Sequence, residues 1–341
     1  MTKELDDALK GLRKKYGDDS ISVVANQNIA NVEAIPTGCL SLDYVLGCGG
    51  IPRGRIVEVY GEESSGKSTL AMFLTAVIQK NKGTALWIDA EQTFSQEYAT
   101  DIGMDVSKLV LSQPSCGEDG LEMVRELASQ NVIDVAVVDS VAALTPRREI
   151  DGNIEKEEMA VQARMMSKAL RVIVPVVAKS KMSLIFINQT REKVAVMWGS
   201  KESTPGGKSL KFNASIRLKV RRGELIKDEN KQVIGNVMHI KAEKNKAGMP
   251  FRECDVDVIY GQGIDREADL LETGIRTLVI KRAGSSYKYK DTTIGIGKDK
   301  AKEFLKANEN VYNEILKDVK NYDNKENDNK KTESKTTNEV D

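Results

Sequence analysis

Four short blocks of almost unbroken apolar residues recur along the first half of the chain. They are Arg55–Tyr60 (RIVEVY), Thr84–Asp89 (TALWID), Asp134–Asp139 (DVAVVD) and Ser183–Asn188 (SLIFIN). Between them the spacing turns helical, as in Thr69–Lys80, where Leu70, Phe73, Leu74 and Val77 share one face. Blocks buried on both sides and separated by helices predict a parallel sheet covered on both faces. Three later runs, Ser215–Val220, Asn236–Glu243 and Asp255–Tyr260, follow without long helices and predict antiparallel additions to it.

The flanks read differently. Residues 3–16 place Leu5, Ala8 and Leu12 on one stripe, a small amphipathic helix that Gly17 breaks. Between 36 and 54, Pro36, Gly38, Gly47, Gly50 and Pro52 mark turns around the apolar stretch Leu40–Leu46. After Gly263 the pattern predicts a helix at Glu267–Leu278, short strands at Tyr287–Ile294 and a helix at Ala301–Val319. From Asn321 onward Val340 is the sole aliphatic residue, so ordering entropy has nothing to offset it and disorder is predicted. The expected organisation is a helix-and-strand extension at 1–28, a core at 29–265, a small basic α/β unit at 266–320, and a tail at 321–341.

Composition excludes more than it selects. Lysine plus arginine equal aspartate plus glutamate at 51 each, so net charge names no partner. Cys39, Cys48, Cys116 and Cys254 form no CxxC pair or metal-ligand spacing, which argues against a disulfide framework and for a reducing cytoplasm. The charged start, MTKELDDALKGLRKKYG, has no apolar core and is not a secretory signal. No apolar run approaches the ~18 residues a membrane span needs, so no membrane partner is expected.

Chemistry concentrates at the ends of the apolar blocks. Gly61-Glu62-Glu63-Ser64-Ser65-Gly66-Lys67-Ser68 fills every fixed position of a phosphate-binding P-loop, between a predicted strand and a predicted helix that Thr69 continues. Its glycines let backbone N–H groups wrap phosphates at a helix N-terminus. Lys67 would reach the β- and γ-phosphates and Ser68 would sit on Mg²⁺, so ATP-type chemistry with Mg²⁺ is expected. Asp139, closing VAVVD, has the form of an aspartate that holds Mg²⁺ through water; a plain helix cap is the alternative. Glu91, just past WID, can orient and deprotonate an attacking water, but Asp89 points the same way by strand alternation and the sequence barely separates the two. Asn188-Gln189 offers an amide that a γ-phosphate could hold and release.

Two segments follow such strand ends. Thr190–Lys208 combines basic residues with Val-Ala-Val-Met-Trp and then Pro205-Gly206-Gly207; Arg147–Ala160 is similar but more acidic. Loops this long inside a compact domain are commonly functional. Cations with apolar and aromatic residues suit backbone neutralisation plus insertion between bases, while ordinary lids or protein-binding loops are the rival reading.

With these residues assembled, the stretch from about Ile35 to Tyr289 closely resembles the RecA family of bacterial DNA recombinases. The likeness rests on GRIVEVYGEESSGKSTL, WIDAE, VDSVAALTP, ARMMS, LIFINQ, GGKSLKF and EKNKAGMPF in that order. It implies an α/β fold: a RecA-type P-loop ATPase core with a mostly parallel central sheet, a short N-terminal extension and a small C-terminal α/β domain. It also implies an ATP-dependent helical filament of copies of the chain on single-stranded DNA, pairing it with a homologous double-stranded DNA during repair. By position, Lys67, Ser68 and Asp139 would hold ATP and Mg²⁺, Tyr98 would stack on adenine, Glu91 would activate water and Gln189 would sense the γ-phosphate. Two DNA loops would span about 152–160 and 190–205, with Met159 and Val194 as wedges between bases. Arg164, Ser167, Arg171, Arg191, Gly206 and Gly207 would meet the DNA backbone. Lys244 and Lys246 would reach ATP held by the neighbouring copy, and Phe212 would carry the nucleotide state between subunits. The N-terminal extension would pack on a neighbour. Lys281, Arg282, Lys288, Lys290, Lys298, Lys300 and Lys302 would let the small domain capture duplex DNA. A LexA-type repressor, with a co-protease role in the SOS response, and loading mediators are further partners of the family, whose part here the sequence leaves open.

The chain departs from that pattern in places. Glu155, Glu157 and Glu158 make the first loop more acidic; Ala160 and Ala195 replace usual glycines; Lys208 replaces a usual asparagine. Pro175 falls inside an expected helix and should kink it. The tail's six acidic and four basic residues make it less acidic than the family's. Two rivals keep the P-loop: a hexameric helicase or other DNA motor, and a regulatory ATPase that never touches nucleic acid. The lone His239 lies in a strand-like run away from the motifs and is assigned no catalysis.

Overall fold

The computed structural model describes residues 2–17, 21, 32–152, 160–192 and 202–336. It comprises a small N-terminal unit, 1–33, and a large unit made of the rest. In the first, α1 (Lys3–Tyr16) carries Glu4 and Asp6 in its first turn and Arg13, Lys14 and Lys15 in its last, matching the helix dipole at both ends. Gly17, at φ 97°, ends it. The strand expected before residue 28 lies outside the described residues.

In the large unit a short antiparallel pair, β1 (Ala34–Ile35) with β2 (Ile51–Pro52), brackets α2 (Leu40–Leu46). The parallel strands follow: β3 (Ile56–Gly61), β4 (Ala85–Asp89), β5 (Leu109–Ser112), β6 (Val135–Asp139) and β7 (Ser183–Gln189). Helices α3 (Lys67–Lys80), α4 (Gln96–Asp101), α5 (Gly117–Ser129), α6 (Arg147–Ile150) and α7 (Val161–Ser180) lie between them in sequence. After β7 come the small pair β8 (Arg191–Glu192) and β9 (Glu202–Ser203), then α8 (Lys208–Asn213). β10 (Ile216–Lys227) joins parallel to β3, and β11 (Val233–Asn245), β12 (Glu253–Ile259) and β13 (Gly263–Ile264) add antiparallel strands. The resulting order is β13-β12-β11-β10-β3-β7-β6-β4-β5.

Alternation within each strand builds two cores from one sheet. Val57, Val59, Trp87, Val135, Val137, Ile185 and Ile187 face α3, packing on Leu70, Phe73, Leu74 and Val77. Ile56, Leu86, Ile88, Ala136, Val138, Leu184 and Phe186 face the other way, onto Leu121 and Val124 of α5 and Met166, Leu170 and Ile173 of α7. Each such aliphatic or aromatic side chain contributes about 1.5–3 kcal/mol by leaving water. The predicted doubly covered sheet is therefore what forms. α7 runs through Pro175 without ending there, since one proline removes a single i→i−4 hydrogen bond from a helix of 20 residues.

Several boundaries depart from the sequence reading. β5 was not expected; it is a short edge strand whose Val110 and Leu111 are exposed, so it lacks a buried strand's signature. β10 and β11 extend well past the apolar runs that predicted them, because Arg221–Lys227 is mostly exposed and carries no apolar run to mark it.

The small C-terminal part comprises α9 (Arg266–Arg276), an antiparallel sheet of β14 (Ile280–Ala283), β15 (Ser286–Tyr289) and β16 (Thr292–Ile296), then α10 (Lys298–Ala307) and α11 (Glu309–Thr336). Asp265 caps α9 by accepting from Ala268 N at 2.9 Å. Asp269 reaches back to accept from Leu40 N (2.5 Å) and Ser41 N (3.2 Å), capping α2 from another part of the chain. Burial holds its carboxyl above the ordinary range. Lys302 pairs with Asp265 at 2.6 Å, Lys298 with Asp257 at 2.9 Å and Lys290 with Glu314 at 3.2 Å, so three of the lysines of this basic region are engaged in ion pairs. The backbone of α11 continues past Asn321 to Thr336, into the stretch whose composition predicts disorder. A helix already nucleated by the packed residues Ile315 and Val319 adds one hydrogen bond per further residue, so it can propagate through polar sequence. Among the described residues no helix is long and apolar enough to cross a membrane.

Candidate nucleotide site and DNA-facing surface

The phosphate loop is shaped by what surrounds it. Gly61 ends β3 beside β10, where a Cβ would stand 2.1 Å from Val220 O, so no side chain fits. Gly66, at φ 94°, turns the chain into α3, whose N-terminal amides point into the loop. Lys67 is buried and its Nζ donates to Glu62 O at 2.5 Å. Burial holds this ammonium below its usual range, while Asp139, Glu91, Glu63 and Glu62 pull the other way. Ser68 Oγ donates to Asp139 Oδ2 at 2.9 Å. Asp139 is pushed up to about 6, chiefly by burial, with Glu91 and Asp89 adding and the Ser68 bond opposing. Ser65 Oγ is buried without a partner, a polar atom left for a ligand at the phosphate position. A hydroxyl and a buried carboxylate side by side are hard oxygen donors of the kind Mg²⁺ takes, so the residues present fit the ion.

Asp89 and Glu91, barely separable by sequence, are separated by geometry. Asp89 is buried, accepting from Thr93 N and Phe94 N (both 3.1 Å) and from Gln113 Nε2 (2.9 Å). Its oxygens hold the turn after β4. Glu91 is exposed, and its Oε1 accepts from Ser140 Oγ at 2.5 Å and Gln189 Nε2 at 3.3 Å. Residues from the ends of β4, β6 and β7 thus converge on one carboxylate at the strands' C-terminal edge.

A cleft of about 240 Å³ opens at the phosphate loop, lined by Lys67, Thr69, Tyr98, Arg222, Asn236 and Tyr260 among others. Tyr98 OH lies 2.8 Å from Thr69 Oγ1, which fixes the ring at the cleft wall. Arg222 Nη2 donates to Tyr260 OH at 3.0 Å. Arg222, Asn236 and Tyr260 escaped the sequence reading because the antiparallel pairing of β10, β11 and β12 brings them there. The continuation of the strand pattern beyond Val220 was the available signal.

The structure does not bring Lys244 and Lys246 to this cleft. Lys244 pairs with Arg217 and Arg217 with Glu58, three residues back from Gly61 along β3. At about 3.3 Å per residue that is roughly 10 Å from the phosphate edge, towards the other end of the sheet. There Lys244 Nζ donates to Lys211 O (2.7 Å) and Phe212 O (2.9 Å), capping the end of α8. Burial and the neighbouring Lys246 hold its ammonium below the usual range. Phe212 is 67% exposed, an unusual position for a phenyl ring without a partner surface.

On α7, Arg164 and Arg171 are exposed with Ser167 between them, and the 164/167/171 spacing sets all three along one stripe. Gly206 and Gly207, at φ 79° and 72°, lie against the start of that helix. Arg191 stands in β8 opposite Ser203. Met159 and Val194 lie outside the described residues. His239 pairs with Asp255 across the β11–β12 ladder, in register with Arg221, and takes no part in the cleft.

Comparison with known proteins agrees with this geometry. The RecA N-terminal domain family matches residues 3–265 and the RecA C-terminal domain family residues 268–322. Protein RecA of Clostridium tetani is 45% identical over 92% of this chain and 89% of its own length. Protein RecA of Enterococcus hirae is 47% identical over 91% and 90%, and that of Lactobacillus johnsonii 46% identical over 93% and 88%. Two family matches that together take in nearly the whole chain, carried by relatives of almost equal length, place it: this chain belongs to the RecA family.

Proposed function

We propose that this RecA-family recombinase, a DNA-dependent ATPase, holds ATP between adjacent copies of itself in a helical filament on single-stranded DNA, and there pairs that strand with a homologous duplex. The observation that carries the reading is the convergence of Ser140 and Gln189 on Glu91, at the same sheet edge as the Ser68–Asp139 pair. Lys67 and the loop amides bind the phosphates, and Ser68 with Asp139 would hold Mg²⁺. The ion, when bound, neutralises charge on the phosphates. Glu91 orients an attacking water and takes its proton. Gln189 donates to the γ-phosphate side and loses that bond on hydrolysis, which passes the nucleotide state to the segment that follows it.

Lys244 and Lys246, remote from their own phosphate loop, serve the loop of the next copy as cations that stabilise charge in phosphoryl transfer. Phe212 beside them reports across that contact. A contact between two different faces does not close on itself and builds an open helix rather than a ring. Arg164, Ser167, Arg171, Arg191, Gly206 and Gly207 meet the DNA backbone, and Met159 and Val194 part the bases. The small basic domain receives the duplex. A LexA-type repressor and loading mediators would act on this filament, and the four unpaired cysteines suit the reducing cytoplasm in which it would work.

Strand exchange tests the whole reading. Joint molecules should form from a single strand and a homologous duplex with ATP, and fail with a heterologous duplex or without nucleotide. Equal yield in all three reactions would refute it. Electron microscopy of the ATP-bound DNA complex separates filaments from the rings a hexameric motor would form.

A further inference from the structure

We propose that two side-chain amides, those of Asn188 and Gln162, are positioning residues that clamp Pro205 and Gly206, the returning end of the segment after Gln189, to the phosphate edge of the sheet. The inference rests on the reading that nucleotide controls the grip on DNA, and names the contacts through which that control passes.

Asn188 is fully buried near the end of β7. Its Oδ1 accepts from Gln189 N at 3.0 Å, while its Nδ2 donates to Glu58 Oε1 at 3.1 Å and to Pro205 O at 3.2 Å. One amide therefore touches the backbone of the sensor residue, the sheet, and the far end of the segment that the sensor begins. Glu58 cannot give way easily. Its other oxygen accepts from Arg217 Nε at 2.5 Å, in an ion pair whose side chains are 0% and 6% exposed, and that guanidinium lies 4.2 Å from the Tyr60 ring centroid. With one acceptor fixed below it and another above, the amide has a single satisfiable orientation. Reversing it would set its oxygen against a carboxylate and a carbonyl.

Gln162 holds the same dipeptide from the other side. It lies in the first turn of α7, and its Oε1 accepts from Gly206 N at 3.3 Å. Its Nε2 donates to Val141 O (2.8 Å) and Leu144 O (3.1 Å), in the turn that leaves Asp139 and Ser140. Pro205 is thus bound through its carbonyl from the sensor strand, and Gly206 through its N–H from the helix bearing Arg164 and Arg171. The fit is close: a Cβ at Gly206 would stand 2.8 Å from Val141 Cγ1, and one at Gly207 2.8 Å from Ala163 Cβ. Because hydrogen bonds weaken steeply beyond about 3.5 Å, a shift of under about 1 Å at either strand end is felt at this junction.

The test uses full-length protein and its Gln162→Ala and Asn188→Ala variants. Affinity for a fluorescent oligo-dT is measured with and without a non-hydrolysable ATP analogue, and affinity for a fluorescent form of that analogue is measured separately. The nucleotide-dependent gain in DNA affinity should fall at least about tenfold in both variants, while nucleotide affinity moves by less than about twofold, because the clamp couples two sites rather than building either. Gln162→Glu, which keeps the acceptor for Gly206 and loses the donors, should fall between wild type and Gln162→Ala. Folded variants that keep the full gain would overturn the proposal, as would variants in which both affinities drop together. Should Asn188→Ala fail to fold, the half-buried Gln162 decides alone. A wild-type protein showing no nucleotide-dependent gain would instead sink the functional reading on which the clamp rests.

Discussion

Lys67, Asp139, Glu91 and Gln189 leave the parallel strands at their C-terminal edge, whereas Lys244 and Lys246 leave the antiparallel half near the opposite edge. Between the two sets runs a buried band in which Glu58 binds Arg217 and Arg217 lies over Tyr60. The phosphate-binding edge brings the carboxylates Asp139 and Glu91 together with Lys67, and among the described residues the further cation lining its cleft, Arg222, is held by Tyr260. The lysine edge has the cations and no phosphate loop. Within one copy the sheet holds the two sets apart; in the proposed function, copies stacked edge to edge bring them together. In the proposed function, the length of the sheet along its strands is what would make catalysis depend on assembly.

Removing Lys67 should break the phosphate edge outright. Lys67→Ala is expected to lower ATP turnover by about 10²–10³ or more, since it takes away a preorganised cation at the transferring group. Phosphate release in the presence of single-stranded DNA measures this, and turnover near wild type would remove the P-loop from the mechanism. The fold should survive, because among the described residues the Lys67 ammonium donates to Glu62 O, within the loop itself.

Next in size is the contrast between two carboxylates two residues apart. Glu91→Gln should cost about 10²–10⁴ in turnover with little loss of stability, as expected for a general base. Asp89→Asn should do the reverse. It keeps an acceptor but sets an amide N–H₂ against backbone or Gln113 donors, costing about 1–3 kcal/mol in unfolding free energy. Thermal unfolding and turnover on both variants decide the matter. If Asp89→Asn were the more damaged in turnover at equal stability, the roles would be exchanged.

This pair also shows what the sequence could and could not say. Strand ends were legible from the apolar blocks, and with them the placing of the P-loop, Asp139 and Gln189 at one sheet edge. The choice between Asp89 and Glu91 was not, because it turns on who satisfies Thr93 and Phe94, a matter of loop geometry. The cleft wall was missed for another reason. Arg222 and Asn236 lie in the outer parts of β10 and β11 and Tyr260 just past β12, and strand register brings them to Tyr98. Asp269 capping α2 across more than 200 residues is likewise invisible to local pattern.

Mixing two variants asks whether one site draws on two copies. Lys244→Ala should lower DNA-stimulated turnover about 10-fold or more, with isolated copies still binding ATP, because the cation acts on a neighbour's phosphates. Glu91→Gln carries a defective pocket and intact lysines. An equal mixture of the two should recover about a quarter of wild-type turnover, the share of contacts that join a good pocket to a good lysine in an open heterologous assembly. No recovery above the sum of the separate variants would place both residues in the same copy's site.

A pH effect should be smaller. Asp43, half-buried in α2, accepts from Thr37 N (2.9 Å) and Thr37 Oγ1 (2.7 Å), yet burial pushes its carboxyl up to about 6. A carboxyl raised on folding favours the folded state while protonated, so its contribution is full below pH ~4 and is lost as pH rises through about 6. Asp43→Asn keeps the acceptor and removes the charge. It should flatten the stability change between pH 4 and pH 7 by roughly 1–2 kcal/mol, read from melting temperatures at the two pH values. An unchanged slope would assign the dependence to other groups.

The smallest effect concerns Ala160, which precedes α7 with φ 68° and ψ 13°. A left-handed backbone costs alanine about 1 kcal/mol that glycine does not bear, and glycine gives back part of that gain through its freer unfolded chain. Ala160→Gly should therefore raise stability by no more than about 0.5 kcal/mol, or leave it level. Its larger consequence lies in placement. Ala160 joins the acidic first loop to the helix that carries Gln162, Arg164 and Arg171, so relaxing it changes how readily that helix can shift at its start. Affinity for single-stranded DNA should respond with ATP present and stay unchanged without it, because in the proposed clamp α7 meets the turn after Asp139 and Ser140 through Gln162. A variant that altered DNA affinity equally in both conditions would detach the first turn of α7 from the coupling and leave Asn188 to carry it.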